Sequence, residues 1–283
     1  MKAGPEPASP DRGASLGEPG PPDPGAAPAE GLAAPAAEKL ESLAERYHLA
    51  ERQWTLLAAI LRAVAADELS PTAVRDPVRA ADVHLADSLA ALEVNAVGGA
   101  RRIADLGAGA GFPGLALAVA LPGAEIRMVE SQARKCAFME GLCARVGVTN
   151  ALVVCSRLEE WAEGIGANDV ALARALASAA VVVEYAAPLL RVGGTLIEWR
   201  GRRKPEAERA GRSAAAQMGL ELAEVRLVEP YEGARDHHLH VYVKNRETPS
   251  GFPRRAGMAR KRPLAGERAT PRPSARPSDR DRR

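Results

Sequence analysis

Ile103-Ala-Asp105-Leu-Gly107-Ala-Gly109-Ala-Gly111-Phe-Pro-Gly114 is the stretch that decides the fold. Arg102 to Leu106 reads as a short apolar strand. Four glycines then fall within eight residues, and that density ends any regular element and marks a turn with special backbone demands. Gly109, Gly111 and Gly114 give the spacing G-x-G-x-x-G, placed after a strand and opening a helix. Such a turn brings the backbone close to a ligand. The next helix supplies unpaired N–H groups and the positive end of its dipole. Pro113 suits the first turn of that helix. The expectation is a pocket for a nucleotide-like cofactor.

Working outward from this turn, the chain alternates strands and helices. Strands are expected at Arg102–Leu106, Glu125–Glu130, Ala151–Cys155, Val170–Ala173 and Thr195–Trp199. Helices are expected near 114–121, 132–146, 157–163 and 178–191, and from Glu206 to Met218. This rhythm implies a mainly parallel sheet covered on both faces. Glu221–Val228 and His238–Lys244 are separated only by a turn, so they form an antiparallel hairpin at the sheet edge. Before the turn, Leu40, Leu43 and Tyr47 share one helical face, as do Trp54, Leu57, Leu61 and Val64. A third helix is expected over Ala80 to Leu92.

The whole chain has 283 residues, 46% of them hydrophobic and 26% charged, with a formal net charge of +2. That is a composition for a globular protein with a sizeable core, and the net charge favours no partner class. Charge is unevenly placed, however. Residues 1–34 are rich in Pro, Gly and Ala and are expected to be disordered. The segment 246–283 is basic and Pro-interrupted, and is expected to be disordered beyond about 264. Between them lie a helical cap, 35–98, and a cofactor-binding domain, 99–245. Cys136, Cys143 and Cys155 form neither a CxxC pair nor a disulfide framework. No signal peptide or membrane span is read, so a cytoplasmic location is expected.

Glu130 ends the second strand, where a carboxylate can accept from ribose hydroxyls. Two cofactor classes share this plan, nicotinamide dinucleotides and S-adenosylmethionine. The D-x-G-x-G-x-G form led by Asp105, and the terminal hairpin, favour S-adenosylmethionine. His84, Asp87 and Ser88 crowd one helix too closely for a hydrolytic triad. His237 and His238 point to opposite strand faces, so His237, His238 and His240 make a poor metal site, and none is expected.

Further pieces carry a specific likeness: His84-Leu-Ala-Asp87-Ser88-Leu, Phe112-Pro-Gly114 within the glycine turn, Glu130-Ser-Gln-Ala-Arg-Lys135, Ser156-Arg157, Ala173-Arg174-Ala175, Thr248-Pro…Pro253-Arg-Arg-Ala-Gly257 and Lys261-Arg262-Pro263-Leu264. In this order and spacing, residues 36 to 264 resemble the bacterial small-subunit ribosomal RNA guanine-N7 methyltransferases. The resemblance implies a class I S-adenosylmethionine-dependent, Rossmann-like α/β fold. Its implied substrate is a guanine in the 530 loop of 16S ribosomal RNA, free or in the small subunit; a monomer is expected. It implies that Gly107 and Phe112 line the methionine and sulfonium part of the site, with Gly109 and Gly111 also cofactor-binding. Glu130 holds the ribose, and Leu158 and Glu159 border the adenine. Arg174 faces both the cofactor and the incoming guanine. RNA-binding candidates are Arg200, Arg202, Arg203 and Lys204, with Arg254, Arg255, Arg260, Lys261 and Arg262. The chain departs from the family at Trp54-Thr55 and Leu69-Ser-Pro-Thr72, so the cap is expected to meet RNA differently. The alternatives are a methyltransferase on another RNA or on a small molecule, and a non-catalytic RNA-binding protein with this fold.

Overall fold

A computed structural model describes residues 31–264. The head up to residue 30 and the basic tail beyond 264, with Arg268, Arg272, Arg276, Arg280, Arg282 and Arg283, lie outside the described residues. The centre is one seven-stranded sheet in the order β3-β2-β1-β4-β5-β7-β6. Its strands are β1 (Arg102–Leu106), β2 (Glu125–Glu130), β3 (Ala151–Cys155), β4 (Asn168–Arg174), β5 (Leu190–Arg200), β6 (Leu220–Val228) and β7 (His237–Lys244). The first five are parallel, and β7 runs antiparallel to both of its neighbours, β5 and β6. All seven expected strands are present. The expected hairpin is also present, with β6 outermost and β7 inserted against β5.

The parallel strands are apolar on both sides because helices cover both faces. One face carries α1 (Ala34–Arg46), α2 (Glu51–Ala66), a composite helix over 77–93 (α3), α4 (Gly114–Ala120) and α5 (Ala133–Val146). Leu40, Leu43, Leu57, Leu61 and Val64, the positions read as two helical stripes, are buried here against Leu85, Leu89, Ile103 and Leu115. Each fully buried leucine contributes about 1.5–3 kcal/mol. The other face carries α6 (Ala179–Leu189) and α7 (Pro205–Met218) over Leu196 and Tyr242.

Three local expectations are corrected. The helix over Ala80 to Leu92 is composite, with a π turn at Ala81–Ala86 between short α and 3₁₀ pieces. The Ser88 hydroxyl donates to the His84 carbonyl there, a local bond that competes with the regular ladder. The helix expected near 157–163 is two 3₁₀ turns, Leu158–Glu160 and Ala162–Gly164. The buried Trp161 separates them, and its ring lies so close over Gly164 that a Cβ there would come within 2.3 Å of it. Pro113 sits one position before the helix that begins at Gly114, as its N-cap.

After β7 the chain folds back across the second face towards the C-terminal ends of β3 and β4. Gly257 N–H donates to Glu159 at 2.7 Å, and Arg260 donates to the Leu176 carbonyl at 3.0 Å. Ala259 is buried in the same apolar cluster as α6. Part of the basic segment is thereby built into the fold.

Candidate active site at the strand-order reversal

The sheet reverses its strand order between β1 and β4, and ligands in open α/β sheets sit at the C-terminal strand ends beside such a reversal. The glycine turn lies there. Gly107, Gly109 and Gly111 have φ of 72°, 62° and 95°, left-handed values that side chains with a Cβ rarely adopt. Gly114 is required for a different reason. A Cβ on it would lie 2.8 Å from both Asp105 Oδ2 and Met128 Cγ.

That close approach lets the Gly114 N–H donate to Asp105 Oδ2 at 2.7 Å. Asp105 thus caps the first turn of α4 from inside the sheet, which is why an aspartate precedes the glycines. Its carboxyl is fully buried, and burial pushes its pKa from 3.8 up to about 7, against the lowering effect of the Gly114 N–H and Arg174. The folded chain then holds this proton at a pH where an unfolded chain has lost it. The stabilisation is therefore complete at low pH and is lost as pH rises from about 4 through 7. Wild-type protein is expected to lose about 2–3 kcal/mol of unfolding free energy between pH 5 and pH 8 through this group. Asp105→Asn should remove that component, and denaturant titrations of both proteins at the two pH values check it.

Glu130, at the end of β2, closes the other side of the turn. Its Oε2 accepts from Gly109 N–H at 3.2 Å, and its Oε1 accepts from Ser131 and Gln132 N–H at 2.8 and 3.0 Å. Lys135 Nζ lies 3.7 Å away. The carboxylate is therefore fixed by backbone donors, with its orientation set before any ligand arrives. Leu158 is buried in the turn after β3, and Glu159 follows it, tied to Gly257. Phe112 is buried with its ring stacked on His84, 4.7 Å between centroids and 5° from parallel. Burial and the Arg174 charge bring the His84 pKa down to about 4, so this wall is neutral near pH 7.

Arg174 ends β4 on the same face as the composite helix. Its guanidinium donates to the Val83 carbonyl at 2.8 Å and to Asp87 Oδ2 at 2.9 Å. Asp87 Oδ1 lies 3.2 Å from His237 Nδ1, and the Asp87 carbonyl accepts from Trp199 Nε1 at 2.9 Å. Asp87 is the hub that joins the cap, β4, β5 and β7. In the sequence Asp87 stands in a family motif and beside His84 and Ser88, with no role of its own assigned to it. The structure rules a triad of the three out, because His84 Nε2 meets Thr72 Oγ1 at 2.9 Å instead. Just beyond Arg174, Ala175 has φ of 53°, and Leu176 folds over the glycine turn, where a Cβ on Gly107 would come 2.6 Å from its Cδ1. A strained residue at a ligand crevice is a common marker of function.

The basic candidates separate into groups. Arg200 pairs with Glu198, Arg202 with Asp236 at 3.4 Å, and Arg203 with Glu208 at 2.7 Å. Arg254 clasps the buried Glu184 with two donors, one at 2.6 Å, and also donates to the Arg262 carbonyl. Its fork is thus directed at the protein, whereas the side chains of Arg255, Lys261 and Arg262 are exposed. Among the described residues no three His, Cys, Asp or Glu groups converge to hold a metal ion.

Comparison with known proteins places this arrangement. Residues 52–235 match the family model described as rRNA small subunit methyltransferase G. The ribosomal RNA small subunit methyltransferase G of Rubrobacter xylanophilus is 36% identical over 229 residues, covering 78% of this chain and 85% of that protein. The protein of the same name from Carboxydothermus hydrogenoformans is 33% identical over 233 residues, covering 78% and 92%. That from Deinococcus radiodurans is 35% identical over 217 residues, covering 76% and 85%. With the match spanning the glycine turn, Glu130, Arg174 and Asp87, the chain belongs to the rRNA small subunit methyltransferase G family.

Proposed function

We propose that this chain transfers a methyl group from S-adenosylmethionine to N7 of a guanine in 16S ribosomal RNA, in the 530 loop. The observation that carries the reading is the glycine turn closed by the backbone-fixed Glu130 at the strand-order reversal, with Arg174 on the adjoining strand, in a chain of this family. The residues present suit the cofactor. Glu130 offers carboxylate oxygens to a ribose diol, the turn offers backbone N–H groups, and Leu158 and Phe112 offer apolar flanks.

When bound, S-adenosylmethionine supplies an electrophilic methyl group on a sulfonium. Guanine N7 already carries a lone pair and no proton, so no general base is needed. The chain's task is alignment of the acceptor nitrogen. Guanine presents O6 beside N7 as a second acceptor. Arg174, held by Asp87 and Val83, would donate to O6 and leave N7 free for attack. His84 stays neutral and stacked behind Phe112, which keeps a competing cation out of that wall.

The proposed enzyme acts as a monomer, needs no metal and works in the cytoplasm on rRNA or the small subunit. Among the described residues no helix is long and apolar enough to cross a membrane. Labelled-methyl transfer to ribosomal RNA or small subunits from a strain lacking the enzyme tests the reading. The label should map to one guanine. Absence of transfer, with folded protein that binds no S-adenosylmethionine, would overturn it.

A further inference from the structure

On the second face of the sheet, the N-terminal ends of α6 and α7 converge on the C-terminal end of β5. Between them is a cavity of about 330 Å³ lined by Ala179, Arg200, Arg203, Lys204, Glu208 and His240. His240 projects from β7, paired in register with Glu198 of β5. It is 3% exposed, yet neither of its ring nitrogens has a hydrogen-bond partner. Arg200 Nε is buried and unpartnered beside it. Buried polar atoms are nearly always paired, and here one imidazole N–H and the Arg200 Nε–H are donors that an incoming acceptor would satisfy.

In the rest of the wall donors outnumber acceptors. Neither Ser178 nor Lys204 makes a side-chain cap bond at the start of its helix, so first-turn N–H groups of both helices lack a capping side chain there. Glu208, the carboxylate in the wall, is held by both donors of Arg203 at 2.8 and 2.7 Å. Glu198 pairs with Arg200 through Oε1, while its buried Oε2 has no partner. Lys204 is exposed and has no ion-pair partner among the described residues. Burial, helped by Arg200, His238 and Arg203 and opposed by Glu208, holds the His240 pKa down to about 4. The imidazole is then neutral near pH 7, with one N–H to donate.

We propose that this cavity is a phosphodiester-binding subsite that grips the RNA backbone beside the guanine being methylated. This rests on the RNA methyltransferase reading above. Arg200 lies one residue beyond Trp199, the register partner of Arg174. The cavity is two to three strand spacings from the glycine turn, roughly 10–15 Å, within reach of nucleotides flanking a base held there. Phosphate contacts of this kind fix register without reading sequence.

Two measurements test it. Inorganic phosphate titrated into the full chain should move the His240 imidazole NMR resonances, and less so in Lys204→Ala. In methyl-transfer assays, His240→Leu and Lys204→Ala should each raise KM for RNA about tenfold, with kcat and the Kd for S-adenosylmethionine unchanged. Lys204→Ala should also lower the salt dependence of RNA binding by a slope of about one. A methylphosphonate placed in turn at each phosphate flanking the target guanosine should raise KM for wild type at one position, and not for His240→Leu. Lys204 is exposed, so its variant stays informative if His240→Leu does not fold. An unmoved His240 resonance together with unchanged KM in Lys204→Ala overturns the subsite. If wild type methylates no RNA while phosphate still moves His240, the anion site stands and the RNA reading fails.

Discussion

Replacing Glu130 by Gln is expected to weaken S-adenosylmethionine binding by between tenfold and a hundredfold. A charge-assisted hydrogen bond contributes about 1.5–3 kcal/mol, and about 1.4 kcal/mol is a factor of ten in Kd. The glutamine keeps one acceptor oxygen but turns its NH₂ towards donors. In wild type both carboxylate oxygens accept backbone N–H groups, from Gly109 on one side and Ser131 and Gln132 on the other. One of those contacts becomes donor against donor, so the glycine turn loosens as the ribose loses its acceptor. Calorimetric titration of the cofactor checks this, with thermal unfolding to separate the two effects. An unchanged Kd in a normally folded variant would remove Glu130 from the cofactor site.

Arg174→Ala is expected to lower kcat for RNA methylation about a hundredfold, equivalent to about 2.7 kcal/mol in the barrier. It should also destabilise the fold by about 3 kcal/mol. Asp87 is only 11% exposed at its side chain, and its two oxygens serve Arg174 and His237. Removing one partner leaves a largely buried charge uncompensated. The Val83 carbonyl also loses its donor. The two losses can be separated. Adding Asp87→Asn to Arg174→Ala should restore most of the stability and none of the rate. Arg174→Lys keeps the charge but cannot reach Val83, Asp87 and a base together, so it should recover stability better than turnover. Wild-type kcat in Arg174→Ala, measured well below its unfolding temperature, would assign Arg174 a structural role alone.

These two residues also show what could be read before the fold was known. Glu130 was legible because its signal is local. A strand, a glycine turn and a carboxylate at the next strand end are set by short-range backbone rules, and the strand pairing then places Val129 directly beside Leu106. The helical stripes of α1 and α2 were legible for the same reason, since periodicity is a property of neighbouring residues. Residues 157–163 show the limit of that logic. Their composition permits a helix, but the buried Trp161 ring over Gly164 imposes two separate turns. Arg254 shows another limit. As a residue in a basic run it looked free for RNA, while Glu184, 70 positions earlier, takes up its fork.

By itself the sequence determined the succession of strands and helices along the chain, the glycine turn, the carboxylate at the end of β2 and, through its motif series, the family. Each depends on spacing along the chain, which folding does not alter. Tertiary structure alone decided the Asp87 hub and the His240 cavity. Asp87 meets Arg174 across 87 positions and His237 across 150. The cavity joins β5, β7 and two helix starts that no local pattern links. A charge or an imidazole takes its role from what surrounds it once water is excluded, and that surrounding exists only after the sheet has brought distant strands side by side. The turn at Ile103 to Gly114 therefore announced that a cofactor is held, while packing fixed which side chains stand across from it.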